Sequence, residues 1–385
     1  MSTITQTFNR YLEMSSRFLG NLGRTCHQIY SHRPGATIFS ALCFSCGFIY
    51  VIQSRAQESR LLKAKRNAPK IGGTTCKYRL DNGTSGTCPL PDGRKLGFAE
   101  YGASDGIPVF FLHGTPGSRF EAASLDDLTK QLNVRLISVD RPGIGWSSAQ
   151  PGRTLETHAY DIDNLANYLE LDRFAVLGIS GGGPYALACA RFISNEKCKA
   201  VGVVVGMGAP DMSKKGMRWF NWLGFTLGYP YLHAKLFYWA VTHTLEGRLD
   251  LTEDERLELV RQRTRAEMEK VPAKDRAFWQ DEDNIRLFLR SMQEVRSRDL
   301  VDGLLTDGRA LALDWQFKIE DIPENMPVRL WYGAQDANCP PGYGRQTMER
   351  LGHRQNCLLR IEDETHISMW LNYREEFFKD LVEFM

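Results

Sequence analysis

The sequence predicts an α/β protein, a mostly parallel, doubly wound sheet interrupted by a helical insertion. Three observations carry this expectation. From residue 74 onward, short β-branched runs alternate with longer amphipathic stretches. The short runs are almost continuously apolar, as strands covered on both faces require. Residues 211–320 break the rhythm with a stretch rich in Trp, Phe, Leu, Arg and Glu that has helical periodicity and no strand pattern. The expected division is a core of 71–210 and 321–385, a helical lid at 211–320, and a basic arm at 1–70.

Taken in order, strands are expected over 95–101, 108–112, 135–139, 174–177, 200–205, 328–332 and 358–361, each bounded by turn residues. Between them, 155–169, 184–192, 343–351 and 370–384 have the spacing and length of helices. This βαβ alternation places helices on both faces of one sheet.

Composition fits such a core: 385 residues, 43% hydrophobic and 11% aromatic, which excludes a largely disordered or fibrous chain. The charge is unevenly divided. Residues 1–70 hold ten basic side chains against Glu13 and Glu58, a net +8, which leaves 38 basic and 44 acidic groups, a net −6, in residues 71–385. The main body therefore offers no basic surface for nucleic acid. Nine cysteines are scattered along the chain without the spacing of a zinc site, so neither a metal nor another cofactor is expected. Cys76 and Cys88 flank the sequon Asn82-Gly83-Thr84 and would bridge only in a lumenal domain; the favoured reading is that the thiols are reduced.

Between Arg33 and Arg55 lie 21 uncharged residues, enough for a helix of about 31 Å. Residues 36–53 are thus a candidate transmembrane helix, and the apolar run lies too far from Met1 for a cleaved signal. Arg55, Arg60, Lys63, Lys65, Arg66 and Lys70 follow the run, which leaves the large domain in the cytosol by positive-inside counting. Residues 1–33, rich in Arg, Ser and Thr, also have the composition of a mitochondrial presequence, making a mitochondrial membrane the second choice.

The chemistry concentrates at strand ends. Gly178-Ile179-Ser180-Gly181-Gly182 forms a G-x-S-x-G between an apolar strand and an apolar helix. Small neighbours give a serine room at a sharp turn, and a helix N-terminus offers free N–H groups to a developing oxyanion. His113-Gly114-Thr115-Pro116-Gly117-Ser118 ends another strand. The backbone amide of Thr115, with that of Gly181, would make a two-donor oxyanion hole. His113 is expected to organise its loop through hydrogen bonds, with Gly114 and Pro116 shaping it, rather than to act as a base. Asp336 follows the strand at 328–332, and His366 follows the next one, so the order is Ser, Asp, His.

These motifs, together with Asp140-Arg141-Pro142-Gly143-Ile144-Gly145-Trp146-Ser147, resemble the α/β-hydrolase superfamily over about residues 74–385. The resemblance implies the α/β-hydrolase fold with Ser180 as nucleophile, His366 as base, Asp336 as its orienting acid and the Thr115 and Gly181 amides as oxyanion donors. Epoxide hydrolases and haloalkane dehalogenases of that superfamily use an aspartate at the elbow, and Ser180 argues against both. The expected activity is hydrolysis of a carboxylic ester or lipid-like acyl substrate, a small and apolar molecule, through an acyl-enzyme. Trp219, Phe220, Trp222, Phe225, Phe237, Tyr238 and Trp239 would either line an apolar chamber or pack the lid helices. A prolyl-type aminopeptidase is the alternative, with Glu253, Asp254 and Glu255 available in the lid for a substrate amine. A non-catalytic ligand receptor on the same scaffold is a third reading, although that route normally discards a triad residue.

Overall fold

A computed structural model of the chain describes residues 76–234, 248, 251–296 and 300–385. The arm and its candidate transmembrane segment lie outside these residues. Among the described residues, no helix is long and apolar enough to cross a membrane.

Eight strands form one sheet: β1 (Ser85–Pro89), β2 (Lys95–Gly102), β3 (Ile107–Leu112), β4 (Val134–Val139), β5 (Phe174–Ile179), β6 (Cys198–Val204), β7 (Val328–Gly333) and β8 (Cys357–Glu362). Their order is β1-β2-β4-β3-β5-β6-β7-β8. β2 runs antiparallel to both β1 and β4, and every later pairing is parallel. Alternation along β3 shows why both faces are covered: Phe110 and Leu112 enter one apolar cluster, Val109 and Phe111 the other.

The helices outside the insertion are α1 (Asp126–Gln131), α2 (Leu155–Tyr168), α3 (Gly183–Phe192), α10 (Gly342–Arg350) and α11 (His366–Val382). Leu155, Ile162 and Leu165 of α2 and Tyr185 to Ala190 of α3 fill the first cluster. Phe377, Phe378 and Leu381 of α11 fill the second. Each large side chain buried this completely contributes about 1.5–3 kcal/mol, so the sheet is held from both sides.

Between β6 and β7 the described residues form helices and turns: α4 (Trp219–Leu223), a π-helical turn (Gly224–Gly228), α5 (Tyr229–Tyr231), α6 (Glu253–Glu267), α7 (Arg276–Gln280), α8 (Glu282–Arg296) and α9 (Leu300–Ala312). α6 starts at a capping box in which the Thr252 hydroxyl accepts from the Glu255 amide while the Glu255 carboxylate accepts from Thr252 N–H. Ile144 of the core packs with Met292 and Val295 of α8 and Leu304 and Leu305 of α9. Buried ions tie the same helices down: Arg119 pairs with Asp140 at 2.8 Å and with Glu294 of α8 at 2.7 Å.

Several expectations are corrected. β1 was not anticipated; it is an edge strand with a single buried residue, Cys88, and a closing proline, so it lacks an apolar pattern. α11 begins at His366 rather than at 370, because Thr365 caps it and accepts from the Ser368 amide. Trp219, Phe220 and Trp222 are exposed rather than buried between the inserted helices. Phe237, Tyr238 and Trp239 lie outside the described residues. Cys76 and Cys88 are both free thiols, in keeping with the favoured reading.

Candidate active site

Ser180 sits where β5 ends, in a left-handed conformation with φ +52°. A serine in this region of backbone space is strained, a frequent mark of functional turns. The neighbouring glycines are required by space. A Cβ at Gly178 would strike the Gly182 carbonyl, and one at Gly182 would strike the carbonyl of Leu112 at the end of β3. The elbow is thereby pressed against the loop carrying Thr115. The same crowding applies at Gly181, where an added Cβ would meet the Thr115 side chain and lie 3.2 Å from the Thr115 nitrogen. The two candidate oxyanion amides are therefore neighbours.

Asp336 follows β7 and His366 opens α11 after β8, so adjacent parallel strands deliver both to one sheet edge. His366 Nδ1 lies 2.6 Å from Asp336 Oδ2. The other oxygen, Oδ1, accepts from the amides of Asn338 and Cys339 at 2.7 and 3.0 Å. The carboxylate is fully buried, whereas the His366 side chain keeps 19% of its surface open. An acceptor at Nδ1 fixes the proton there and leaves Nε2 with its lone pair free. Ser180 makes no direct hydrogen bond to His366 in this structure. Its hydroxyl lies beside the Cys339 thiol, which burial pushes well above the usual range while Ser180 acts in the opposite sense.

His113 organises its loop. Nδ1 donates to the Gly114 carbonyl at 2.8 Å and Nε2 accepts from the Arg141 amide at 3.4 Å. Burial and the Arg141 guanidinium hold this imidazole well below the usual range, so it stays neutral. The Thr115–Pro116 peptide is cis. Gly114 N donates to Glu121 Oε2 at 2.9 Å, and burial raises the Glu121 carboxyl to about 7.

Beneath the loop lies a buried cluster that the sequence did not reveal. Arg141 donates to the carbonyls of His113 and Gly114 at 2.6 and 2.7 Å and to Asp307 Oδ1 at 2.9 Å. Asp307, on α9, also receives Thr115 Oγ1 at 2.7 Å, Tyr185 OH at 2.8 Å and Arg153 at 2.9 Å. Burial alone would raise the Asp307 carboxyl; Arg141 and Arg153 outweigh it and hold the group far below the usual carboxylate range. A second insertion residue, Asp275, accepts from the hydroxyl of Thr365, the residue before His366. Both acids lie far in sequence from their partners and have no local motif; the partners Thr115 and Arg141 stood in recognisable segments, the acids did not.

A cavity of about 160 Å³ opens beside His366, lined by Phe111, Glu121, Ile179, Phe278, Phe288 and Trp370 among others. It is the size of a single ring. No group of three or more metal-ligating side chains occurs among the described residues.

Known proteins share the fold. Residues 107–373 match a family model described as alpha/beta hydrolase fold, and the chain belongs to that family. It is 35% identical over 125 residues to a non-heme chloroperoxidase from Streptomyces lividans, covering 30% of this chain and 43% of that protein. It is 30% identical over 183 residues to a proline iminopeptidase from Arabidopsis thaliana, covering 45% and 46% respectively. The chain thus spans less than half the length of either relative. An α/β-hydrolase fold protein from Nakamurella multipartita superposes with a TM-score of 0.54 at 20% identity, over 77% of this chain and 99% of that one. That likeness concerns the fold.

Proposed function

We propose that the protein is a serine hydrolase that cleaves a carboxylic ester or lipid-like acyl substrate through an acyl-enzyme. The observation that carries the proposal is the 2.6 Å contact of His366 with a buried Asp336, at the sheet edge where Ser180 holds its strained turn. Ser180 Oγ attacks the acyl carbonyl and His366 Nε2 takes its proton. The Thr115 and Gly181 amides donate to the oxyanion, and Asp336 stabilises the imidazolium. Collapse expels the alcohol, protonated by His366. Water, deprotonated by the same nitrogen, then releases the acid and restores Ser180.

An aminopeptidase of the prolyl type remains the second reading, favoured by the similarity to the plant proline iminopeptidase. The acids that it would need in the insertion are otherwise engaged: Glu255 caps its own helix, and Glu253 and Asp254 lie within 3.3 and 3.4 Å of Arg286. Ester hydrolysis is therefore preferred. In this proposal residues 211–320 act as a lid over the cavity, and residues 36–53 anchor the chain in a membrane with the catalytic body cytosolic.

The test is labelling by a fluorophosphonate, with the adduct mapped, beside turnover of acyl esters of graded chain length and of prolyl amides. Labelling at Ser180, with ester turnover abolished by Ser180→Ala, is the expected result. An adduct elsewhere, or undiminished turnover in the variant, overturns the proposal.

A further inference from the structure

Residues 212–245 contain no Asp or Glu but hold Lys214, Lys215, Arg218 and Lys235, within a body of net charge −6 over 71–385. The described part of this stretch also exposes four of its aromatics. Trp219 is 74% exposed, Phe220 51%, Trp222 43% and Tyr231 76%. These residues ride on α4, the π turn and α5, which form one continuous helical run. The run is fastened from behind, where Phe225 packs against the core and the Tyr229 ring lies over Gly308 of α9. Lys215 and Arg218 are exposed and have no ion-pair partner among the described residues.

Scattered exposed apolar side chains need no explanation, but two tryptophans, a phenylalanine and a tyrosine on one run do. Tryptophan and tyrosine combine an apolar ring with a polar tip and settle at the bilayer interface. Lysine and arginine beside them are drawn to anionic headgroups. Asp211 at the edge of the stretch is paired with Arg350 at 2.7 Å, so Lys215 and Arg218 leave this rim with an excess of positive charge, which suits a surface of the opposite sign. An anionic bilayer is such a surface, whereas the rim of a protein interface carries mixed charge.

We propose that the Lys214–Tyr231 face rests on an anionic lipid bilayer, with Trp219, Phe220, Trp222 and Tyr231 at headgroup depth and Lys215 and Arg218 on the headgroups. This contact is separate from the candidate anchor at 36–53 and does not depend on which residue is the nucleophile. It seats the catalytic body against the membrane.

The chain itself supplies the probe, because its first tryptophan is Trp146 and the N-terminal arm holds none. Full-length protein is mixed with phosphatidylcholine vesicles, with and without phosphatidylserine, that carry bromine near the headgroup end of the acyl chains. Tryptophan fluorescence should be quenched, more strongly with phosphatidylserine. Replacing both reporters, Trp219→Phe with Trp222→Phe, should remove at least about half of the quenching while the ring surface is retained. Lys215→Gln with Arg218→Gln should weaken the phosphatidylserine dependence. Absence of quenching in the wild type, or equal quenching in the double Phe variant, overturns the proposal. So does a concentration-dependent dimer in which these tryptophans become shielded without lipid quenching, since the face then belongs to a second copy. Turnover of a water-soluble ester in the same samples reports on the catalytic reading separately.

Discussion

Asp307 Oδ2 accepts a 2.7 Å hydrogen bond from Thr115 Oγ1, 192 positions earlier in the chain. The insertion thus reaches under the loop whose amide is the proposed oxyanion donor. Thr115→Val removes this buttress but keeps the amide, and is expected to lower kcat about tenfold with little change in KM. Asp307→Asn leaves Arg141 and Arg153 buried without a counter-charge, a loss of about 3–5 kcal/mol. Steady-state kinetics and chemical denaturation separate the two effects; a KM-only change in Thr115→Val would mean that the loop does not need its support.

Two acids stand near His366, and they are distinguished by burial. Asp336 is fully buried against the imidazole, while Asp363 is exposed and bonded to Gln335 and Lys274. Asp336→Asn should reduce turnover by about 10³- to 10⁴-fold without loss of the fold. Asp363→Asn should have little effect. The reverse ranking in ester turnover would remove Asp336 from its proposed role.

The strain at Ser180 has a measurable price. Ser180→Gly relieves a left-handed residue of its Cβ and should stabilise the fold by about 1 kcal/mol, with no turnover. A thermal melt that falls instead would show that the serine contacts outweigh the backbone cost.

His158 is buried with both ring nitrogens unpartnered. Burial first, then Arg141 and Arg153, hold its imidazole well below the usual range. Its folded value is depressed, so its contribution to stability is present above about pH 6.5 and is lost as the pH falls below that. His113 acts in the same sense. Glu121, raised to about 7, acts oppositely between its unfolded value of 4.5 and that point. Two histidines against one carboxyl leave a net loss of stability on acidification. His158→Phe should reduce the slope of stability against pH by about 1.4 kcal/mol per unit near pH 5.5, read from denaturation midpoints.

Removing residues 1–70 should leave ester hydrolysis intact and abolish membrane retention. Cells expressing the full chain, or one starting at Ile71, are fractionated and washed with alkaline carbonate. Release of the full chain by the wash would defeat the spanning helix at 36–53, and failure of the shorter chain to fold would make that segment part of the core.

Much of this arrangement was legible in the sequence because its signals are local. β3 to β8 are short apolar runs, and Ser180, Asp336 and His366 each follow a strand end. The strands β3 to β8 lie within two residues of the expected bounds. Asp307, Asp275 and Glu121 were invisible for the opposite reason. The roles of Asp307 and Asp275 exist only once the insertion and the core meet, that of Glu121 only once its turn folds back on the Gly114 amide, and a single acid in a helix carries no periodic signal. The outward turn of Trp219 and Trp222 was equally hidden, since aromatic content states how much apolar surface a segment has and not where it faces.

The buried pairs Arg119–Glu294 and Arg141–Asp307 bear on how this enzyme can change. Inserted helices are an attractive unit to transplant between relatives, and here they also carry counter-ions of the core arginines Arg119, Arg141 and Arg153. A chimaera whose donor helices lack acids at positions 294 and 307 leaves Arg119 with Asp140 alone and takes the buried carboxylate from Arg141 and Arg153, at about 3–5 kcal/mol for the broken Asp307 cluster, a large share of the stability of many domains. Insertion and scaffold are inherited together, and recombination of this protein must keep those two carboxylates before it alters anything else.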